Sequence, residues 1–127
     1  MYTGVFYKRY ILGLWAVAEG IIYDMFNTEK HVVKDQQSVV GSKYVSVDYG
    51  TQNATVYLLW EKNHKGQWVA TKEYYYSGRD ETTQKTDGEY ADDMEEFLEG
   101  INVESIIVDP AAASFIAELK KRGFKVK

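Results

Sequence analysis

The chain has 127 residues with one proline and no cysteine; 45% are hydrophobic, 27% are charged, and the formal net charge is −4. That length and composition describe one globular domain with a real core, not a disordered chain. Disulfides, thiolate nucleophiles and cysteine zinc sites are excluded, and with only His31 and His64 a multi-histidine metal site is disfavoured. Any chemistry falls to carboxylates, hydroxyls and lysines.

Residues 6–15 and 20–26 are aromatic-rich and apolar without clean periodicity, the pattern of an arm packed on something else. Lys8 and Arg9 ahead of residues 11–18 outline a signal peptide, but the apolar run is short and holds Gly13. No apolar stretch approaches the roughly 20 residues of a membrane span, so no membrane partner is expected. Residues 27–38 are polar and read as a loop. The division is an arm or linker over 1–40 and a compact domain over 41–127.

Residues 43–48 alternate with period two, as a half-buried strand should. A turn rich in Gly and Asn follows, then a second strand over 54–60, a turn over 61–66 and a third strand over 67–76. Short connections favour an antiparallel three-strand meander. Tyr74, Tyr75 and Tyr76 read as sheet packing in preference to base stacking. After a polar loop, Thr86 and Glu89 have the spacing of a capping box, and Tyr90, Met94, Phe97 and Leu98 follow at helical spacing up to Gly100. Residues 104–109 form a short apolar strand of the kind buried on both faces. Pro110 suits the first position of a second helix, with Phe115, Ile116 and Leu119 as its apolar stripe and Gly123 as its stop. Residues 124–127 begin another strand. The fold class is therefore α/β: a mixed sheet in which the antiparallel meander is joined to parallel strands by crossover helices, incomplete at the C-terminus.

Charge is unevenly spread. Asp87, Glu89, Asp92, Asp93, Glu95, Glu96 and Glu99 lie in a run without a basic residue, which reads as a solvated helix face. Lys120, Lys121 and Arg122 read as the basic last turn of a helix, favoured by the macrodipole.

Two acids stand out by position instead. Asp48 ends the first strand before a glycine turn, and Asp109 ends the fourth before a proline. In such sheets ligands gather beyond the carboxyl ends of strands. If strands one and four are parallel neighbours, both carboxylates emerge at one edge as hard oxygen ligands for Mg²⁺ or Mn²⁺. Gly50 would leave room beside Asp48 for a phosphate or a metal. The competing reading is that each Asp only starts a turn or caps the next helix.

The segments Tyr44-Val45-Ser46-Val47-Asp48-Tyr49-Gly50-Thr51-Gln52-Asn53, Lys72-Glu73-Tyr74-Tyr75-Tyr76-Ser77-Gly78-Arg79-Asp80, Gln84-Lys85-Thr86 and Ile107-Val108-Asp109-Pro110-Ala111-Ala112-Ala113-Ser114-Phe115 resemble the nuclease domain of the large terminase subunit of tailed bacteriophages. Gly13-Leu14-Trp15 with residues 18–26 looks like the segment joining that family's ATPase motor to its nuclease. The resemblance implies an RNase H-like, resolvase-related fold and a Mg²⁺- or Mn²⁺-dependent endonuclease that cuts concatemeric DNA during packaging. It implies Asp48 and Asp109 as metal ligands and catalytic acids, and a third acid on a final helix that this sequence does not contain. It further implies double-stranded DNA, the ATPase motor of the same full-length polypeptide, the portal and the small terminase subunit as partners, in the cytoplasm of a bacterial host.

Arg79, Lys85, Ser114, Lys120, Lys121 and Arg122 are the candidates for holding the DNA backbone, through contacts that read charge and not sequence; solvated surface charge is the plain alternative for each. Two rival functions stay open. One is a non-catalytic RNase H-like docking module of the packaging machinery. The other is an actin-like ATPase fragment, suggested by the resemblance of Asp48-Tyr49-Gly50-Thr51 to a first phosphate loop; a second glycine-rich loop is lacking, and there is no Gly-x-x-x-x-Gly-Lys-Ser/Thr phosphate loop.

Overall fold

The computed structural model describes residues 27–32, 41–50 and 52–127. The arm expected over 1–40 lies outside the described residues except at 27–32. There the expected loop contains a single helical turn, α1 (Thr28–His31), because Asn27 accepts the backbone N–H groups of Glu29 and Lys30 as an N-cap.

The domain runs β1 (Tyr44–Asp48), β2 (Thr55–Lys62), β3 (Trp68–Tyr76), α2 (Asp87–Phe97), β4 (Ser105–Val108) and α3 (Ala113–Lys121). The four-stranded sheet has the order β3-β2-β1-β4. β1 pairs antiparallel with β2, β2 antiparallel with β3, and β1 parallel with β4. This mixed, open sheet is the RNase H-like arrangement. The C-terminal residues add to its outer edge: Val126 bridges Ile106 in parallel, Ile106 N–H donates to Lys125 O at 2.8 Å, and Lys127 N–H donates to Ile106 O at 2.9 Å.

Period-two alternation decides which face is buried. In β1, Val45 and Val47 face the helices while Tyr44 and Ser46 face away; in β2, Thr55, Tyr57, Leu59 and Glu61 point inward. The core joins Val45, Val47, Tyr57, Leu59, Ile106 and Val108 to Tyr90, Met94 and Phe97 of α2 and to Phe115 and Leu119 of α3. Tyr57 sits at its centre, stacked on Tyr74 at 4.4 Å, edge-on to Phe97 at 5.8 Å, and donating its hydroxyl to Tyr90 O at 2.9 Å. A buried aromatic side chain of this kind contributes about 1.5–3 kcal/mol through area alone.

The opposite face is open among the described residues. Trp60 Nε1 donates to Ser46 Oγ at 2.9 Å, and Tyr44 meets Trp68 edge-on at 5.6 Å. Ile107 is 48% exposed on this face, so β4 is not buried on both faces as its apolar run suggested. Nothing among the described residues covers the side to which Ile107 points.

The helix ends follow their chemistry. At α2 the capping box forms in full: Glu89 N–H donates to Thr86 Oγ1 at 3.1 Å, and Thr86 N–H to Glu89 Oε1 at 3.3 Å. α3 begins at Ala113, not at Pro110, because the chain first turns through Asp109, whose Oδ1 accepts Ala111 N–H and whose carbonyl accepts Ala112 N–H. It ends in a Schellman motif: Gly123 N–H donates to Lys120 O, Phe124 N–H donates to Leu119 O, and Gly123 has φ +92°.

Candidate functional site

The parallel pairing of β1 and β4 decides where the strand-end acids go. Val47 is in register with Val108, so Asp48 and Asp109 are the next residues on two adjacent strands running the same way. They leave the sheet side by side at its carboxyl edge, on strands that lie roughly 5 Å apart. Both are exposed. Among the described residues Asp48 has no hydrogen-bond or ion partner for its carboxylate, although its backbone still pairs with Val56. Asp109 uses one oxygen, Oδ1, to accept Ala111 N–H at 2.8 Å.

The turn reading and the ligand reading of Asp109 are therefore compatible, since an Asx-type turn occupies a single oxygen and holds the carboxylate at the edge. It does not cap α3: the N-cap is Ala112, with no side-chain hydrogen bond. An oxygen-only, exposed donor set without a cationic partner among the described residues has the chemistry that Mg²⁺ and Mn²⁺ require, the remaining positions being filled by water or substrate oxygens. Among the described residues no group of three or more His, Cys, Asp or Glu comes together, so the donor set at this edge is the pair.

Gly50 has a different role from the one expected. A Cβ there would lie 2.5 Å from Ala54 O and 2.6 Å from Asn53 O, so the loop's own carbonyls occupy the space beside it. The glycine is required by the turn and does not open room for a ligand. The turn is fastened by Thr55, which is fully buried; its Oγ1 accepts Gly50 N–H at 3.1 Å and donates to Gly50 O at 3.2 Å.

The basic candidates separate into engaged and free groups. Lys85 Nζ lies 2.5 Å from Asp93 Oδ2 and 4.4 Å from the Tyr76 ring centroid. Burial pulls its pKa down, but the Asp93 hydrogen bond and charge outweigh it and the net shift is upward. Arg122 reaches from the end of α3 to α2, with Asp92 at 2.5 Å, Glu95 at 3.3 Å and Gly88 O at 3.1 Å, and closes an i,i+4 pair with Glu118. Arg79, Lys120 and Lys121 are exposed. Ser114 is exposed in the first turn of α3, close in sequence to Asp109, whereas Lys120 and Lys121 lie about 10 Å further along the helix axis.

The acidic run of α2 is more than a solvated face. Asp87 accepts the Tyr49 hydroxyl, Asp93 accepts the Tyr74 hydroxyl at 2.5 Å as well as Lys85, and Asp92 and Glu95 hold Arg122. Burial first, then hydrogen bonding to Asp93, holds the Tyr74 phenol protonated well above its usual range, and Tyr49 is raised in the same way beside Asp87. Tyr49 is the residue near the site that the sequence reading passed over. Its signal was an aromatic side chain directly after the strand-ending Asp48, in a turn otherwise polar.

No family model and no curated protein matches the chain. Solved structures do. The large terminase of a thermophilic bacteriophage, in complex with ADP, is 53% identical over 99% of this chain, with a TM-score of 0.79 and 32% of its own length covered. A second crystal form of that same large terminase is 54% identical over 98% of the chain, with a TM-score of 0.78 and 31% covered. The bacteriophage HK97 large terminase aligns over 73% of the chain at 10% identity with a TM-score of 0.54, a likeness of fold alone, and 26% of it is covered. The chain thus spans about a third of the length of the relatives it matches, and over nearly all of its own length it is homologous to that third of a phage large terminase.

Proposed function

We propose that this chain carries the DNA-cutting site of a phage DNA-packaging terminase, a Mg²⁺- or Mn²⁺-dependent endonuclease acting on concatemeric double-stranded DNA. The observation that supports it most is the emergence of Asp48 and Asp109 side by side from parallel neighbouring strands, exposed and without a cationic partner among the described residues. Residues that end adjacent parallel strands at one edge, in a chain 53% identical to a large terminase, fit a phosphodiester-cleaving pair better than two unrelated turn formers.

When bound, the divalent cation supplies the Lewis acidity for hydrolysis of a phosphodiester by water. The chain's own contribution is to hold the cation with Asp48 and Asp109, and to fix those carboxylates through the Asp109 turn and the Thr55-fastened Gly50 turn. Ser114, exposed in the first turn of α3 a few residues after Asp109, would donate to a phosphate in this reading. Arg79, Lys120 and Lys121 offer free charge for the DNA backbone, with Lys85 and Arg122 committed first to the fold. The remaining partners in this reading are the ATPase motor of the same polypeptide, the portal and the small terminase subunit, in the host cytoplasm. Among the described residues no helix is long and apolar enough to cross a membrane.

The experiment is a chimera with this chain in place of the matching third of the thermophilic phage's large terminase, incubated with supercoiled plasmid and Mn²⁺ beside its Asp48→Asn partner. Nicking or linearisation that disappears in the variant is the expected result. An intact plasmid, or equal cutting by Asp48→Asn, overturns the nuclease reading in favour of a docking module.

A further inference from the structure

The turn that follows Asp48, the last residue of β1, is tied to the domain through Tyr49. The Tyr49 hydroxyl donates to a carboxylate oxygen of Asp87, the first residue of α2. Its ring lies flat against Phe115, with centroids 4.6 Å apart and planes 8° from parallel, and Tyr90 closes edge-on at 5.3 Å. Phe115 is fully buried in the first turn of α3, the helix the chain enters directly after the Asp109 turn. One side chain therefore links the turn after β1, the start of α2 and the start of α3. Asp48 is bonded to one side of that link, and Asp109 leads into the other. The turn after Asp48 cannot move away from the starts of α2 and α3 without breaking the Asp87 hydrogen bond or opening the stack on Phe115.

That link opposes a definite force. Two carboxylates at one sheet edge repel when no cation lies between them, and a loose turn would let them part. We infer that Tyr49 is a positioning residue: through its stack on Phe115 and its hydrogen bond to Asp87 it holds Asp48 at the separation from Asp109 that a divalent cation needs. The inference rests on the metal-nuclease reading above and adds to it a residue that touches neither metal nor substrate. Groups bonded directly to metal ligands commonly change affinity by about 10–100-fold when lost, and a group that acts through the backbone next to a ligand should change it less.

The test is Mn²⁺ binding to the 127-residue chain, followed by the electron paramagnetic resonance of free Mn²⁺ in the cold, with folding checked by circular dichroism. Wild type is compared with Asp48→Asn, Tyr49→Phe and Tyr49→Leu. Asp48→Asn should abolish the site. Tyr49→Phe keeps the ring and loses the tether, weakening binding roughly 3-fold; Tyr49→Leu loses both and weakens it roughly 10-fold while still folded. A tyrosine that merely packs would lower the melting temperature and leave the affinity of the folded protein unchanged. Asp48-dependent binding that neither Tyr49 variant alters overturns the inference and leaves the metal reading standing. If Tyr49→Leu does not fold, Tyr49→Phe decides alone, and unchanged affinity overturns it. Binding that does not depend on Asp48 overturns the metal reading, and this inference with it.

Discussion

The acids of this domain fall into two regions with opposite behaviour. Along α2, Asp87, Asp92, Asp93 and Glu95 are engaged by Tyr49, Arg122, Tyr74 and Lys85, and the charge that looks surplus in the sequence fastens helix to sheet and helix to helix. At the carboxyl edge of β1 and β4, Asp48 and Asp109 stand exposed with no cation beside them among the described residues. A carboxylate whose needs are met by the fold stabilises it and has little left for a ligand. One that stands beside another carboxylate without a cationic partner is repelled by it and suits an external cation. Density of charge along the chain points to the first kind, and position at a strand end to the second.

The sharpest way to break this contrast is to neutralise each region in turn. Asp48→Asn or Asp109→Asn should cut cleavage of plasmid by the chimera by at least about 100-fold, the scale on which losing a charged group that acts in the transition state is felt. Neither should lower the melting temperature, because each removes like-charge repulsion without breaking an ion pair. Asp93→Ala should do the reverse. It strips a charge-assisted partner from both the Tyr74 hydroxyl and Lys85, an expected cost of about 2–3 kcal/mol in a denaturant titration, with Mn²⁺ affinity unchanged. A destabilised Asp48→Asn, or an Asp93→Ala that loses Mn²⁺, would erase the distinction.

What was legible in the sequence follows the same division. The strands in their succession along the chain, the Thr86 capping box and the two strand-ending acids could be read locally, because period-two alternation and fixed spacings are properties of neighbouring residues; that β1 and β4 are parallel neighbours entered only as a condition. The partners of α2 could not, since Tyr49, Tyr74 and Arg122 lie far from it along the chain and only the crossovers bring them together. Pro110 misplaced the start of α3 because the Asp109 turn takes up the residues before Ala113. The apolar run of β4 overstated burial because Ile107 stays exposed on the face away from the helices, a fact of tertiary structure that no local pattern carries.

The buried phenols of the helix-facing side give a smaller effect with a definite sign. Burial, with the charge of Tyr74 and Asp93 nearby, holds the Tyr57 hydroxyl protonated far above its unfolded value of 10.0. Below pH 10 both states keep the proton and stability is unaffected. Above it the unfolded chain releases a proton that the folded chain retains, so stability falls by about 1.4 kcal/mol per pH unit for this one group. Chemical unfolding followed from pH 9 to pH 11 should show a fall shared with Tyr49 and Tyr74, and Tyr57→Phe should lessen it by this one group's part. Tyr49, beside the carboxylate edge, is raised by burial and Asp87 and not by Asp48, so Asp48→Asn should leave the alkaline slope as in wild type.

The smallest effect isolates the acidic helix from its tertiary partners. Thr86 and Glu89 satisfy each other's backbone N–H groups at the start of α2, a contact made within one turn and independent of the sheet. Thr86→Ala removes the hydroxyl that accepts Glu89 N–H, at a cost of about 1 kcal/mol. Glu89→Gln keeps a side-chain oxygen for Thr86 N–H while removing the charge, and should cost less than Thr86→Ala. If the cap acted only on helix stability, both variants would leave Mn²⁺ affinity at wild-type levels. But Asp87, the residue after the cap, accepts the Tyr49 hydroxyl, and fraying at Thr86 loosens that acceptor first. Thr86→Ala should therefore weaken Mn²⁺ binding slightly, by less than the roughly 3-fold expected of Tyr49→Phe, since the hydrogen bond is loosened and not deleted. The cap thus reaches the carboxylate edge only faintly, by way of Asp87 and its hydrogen bond to Tyr49.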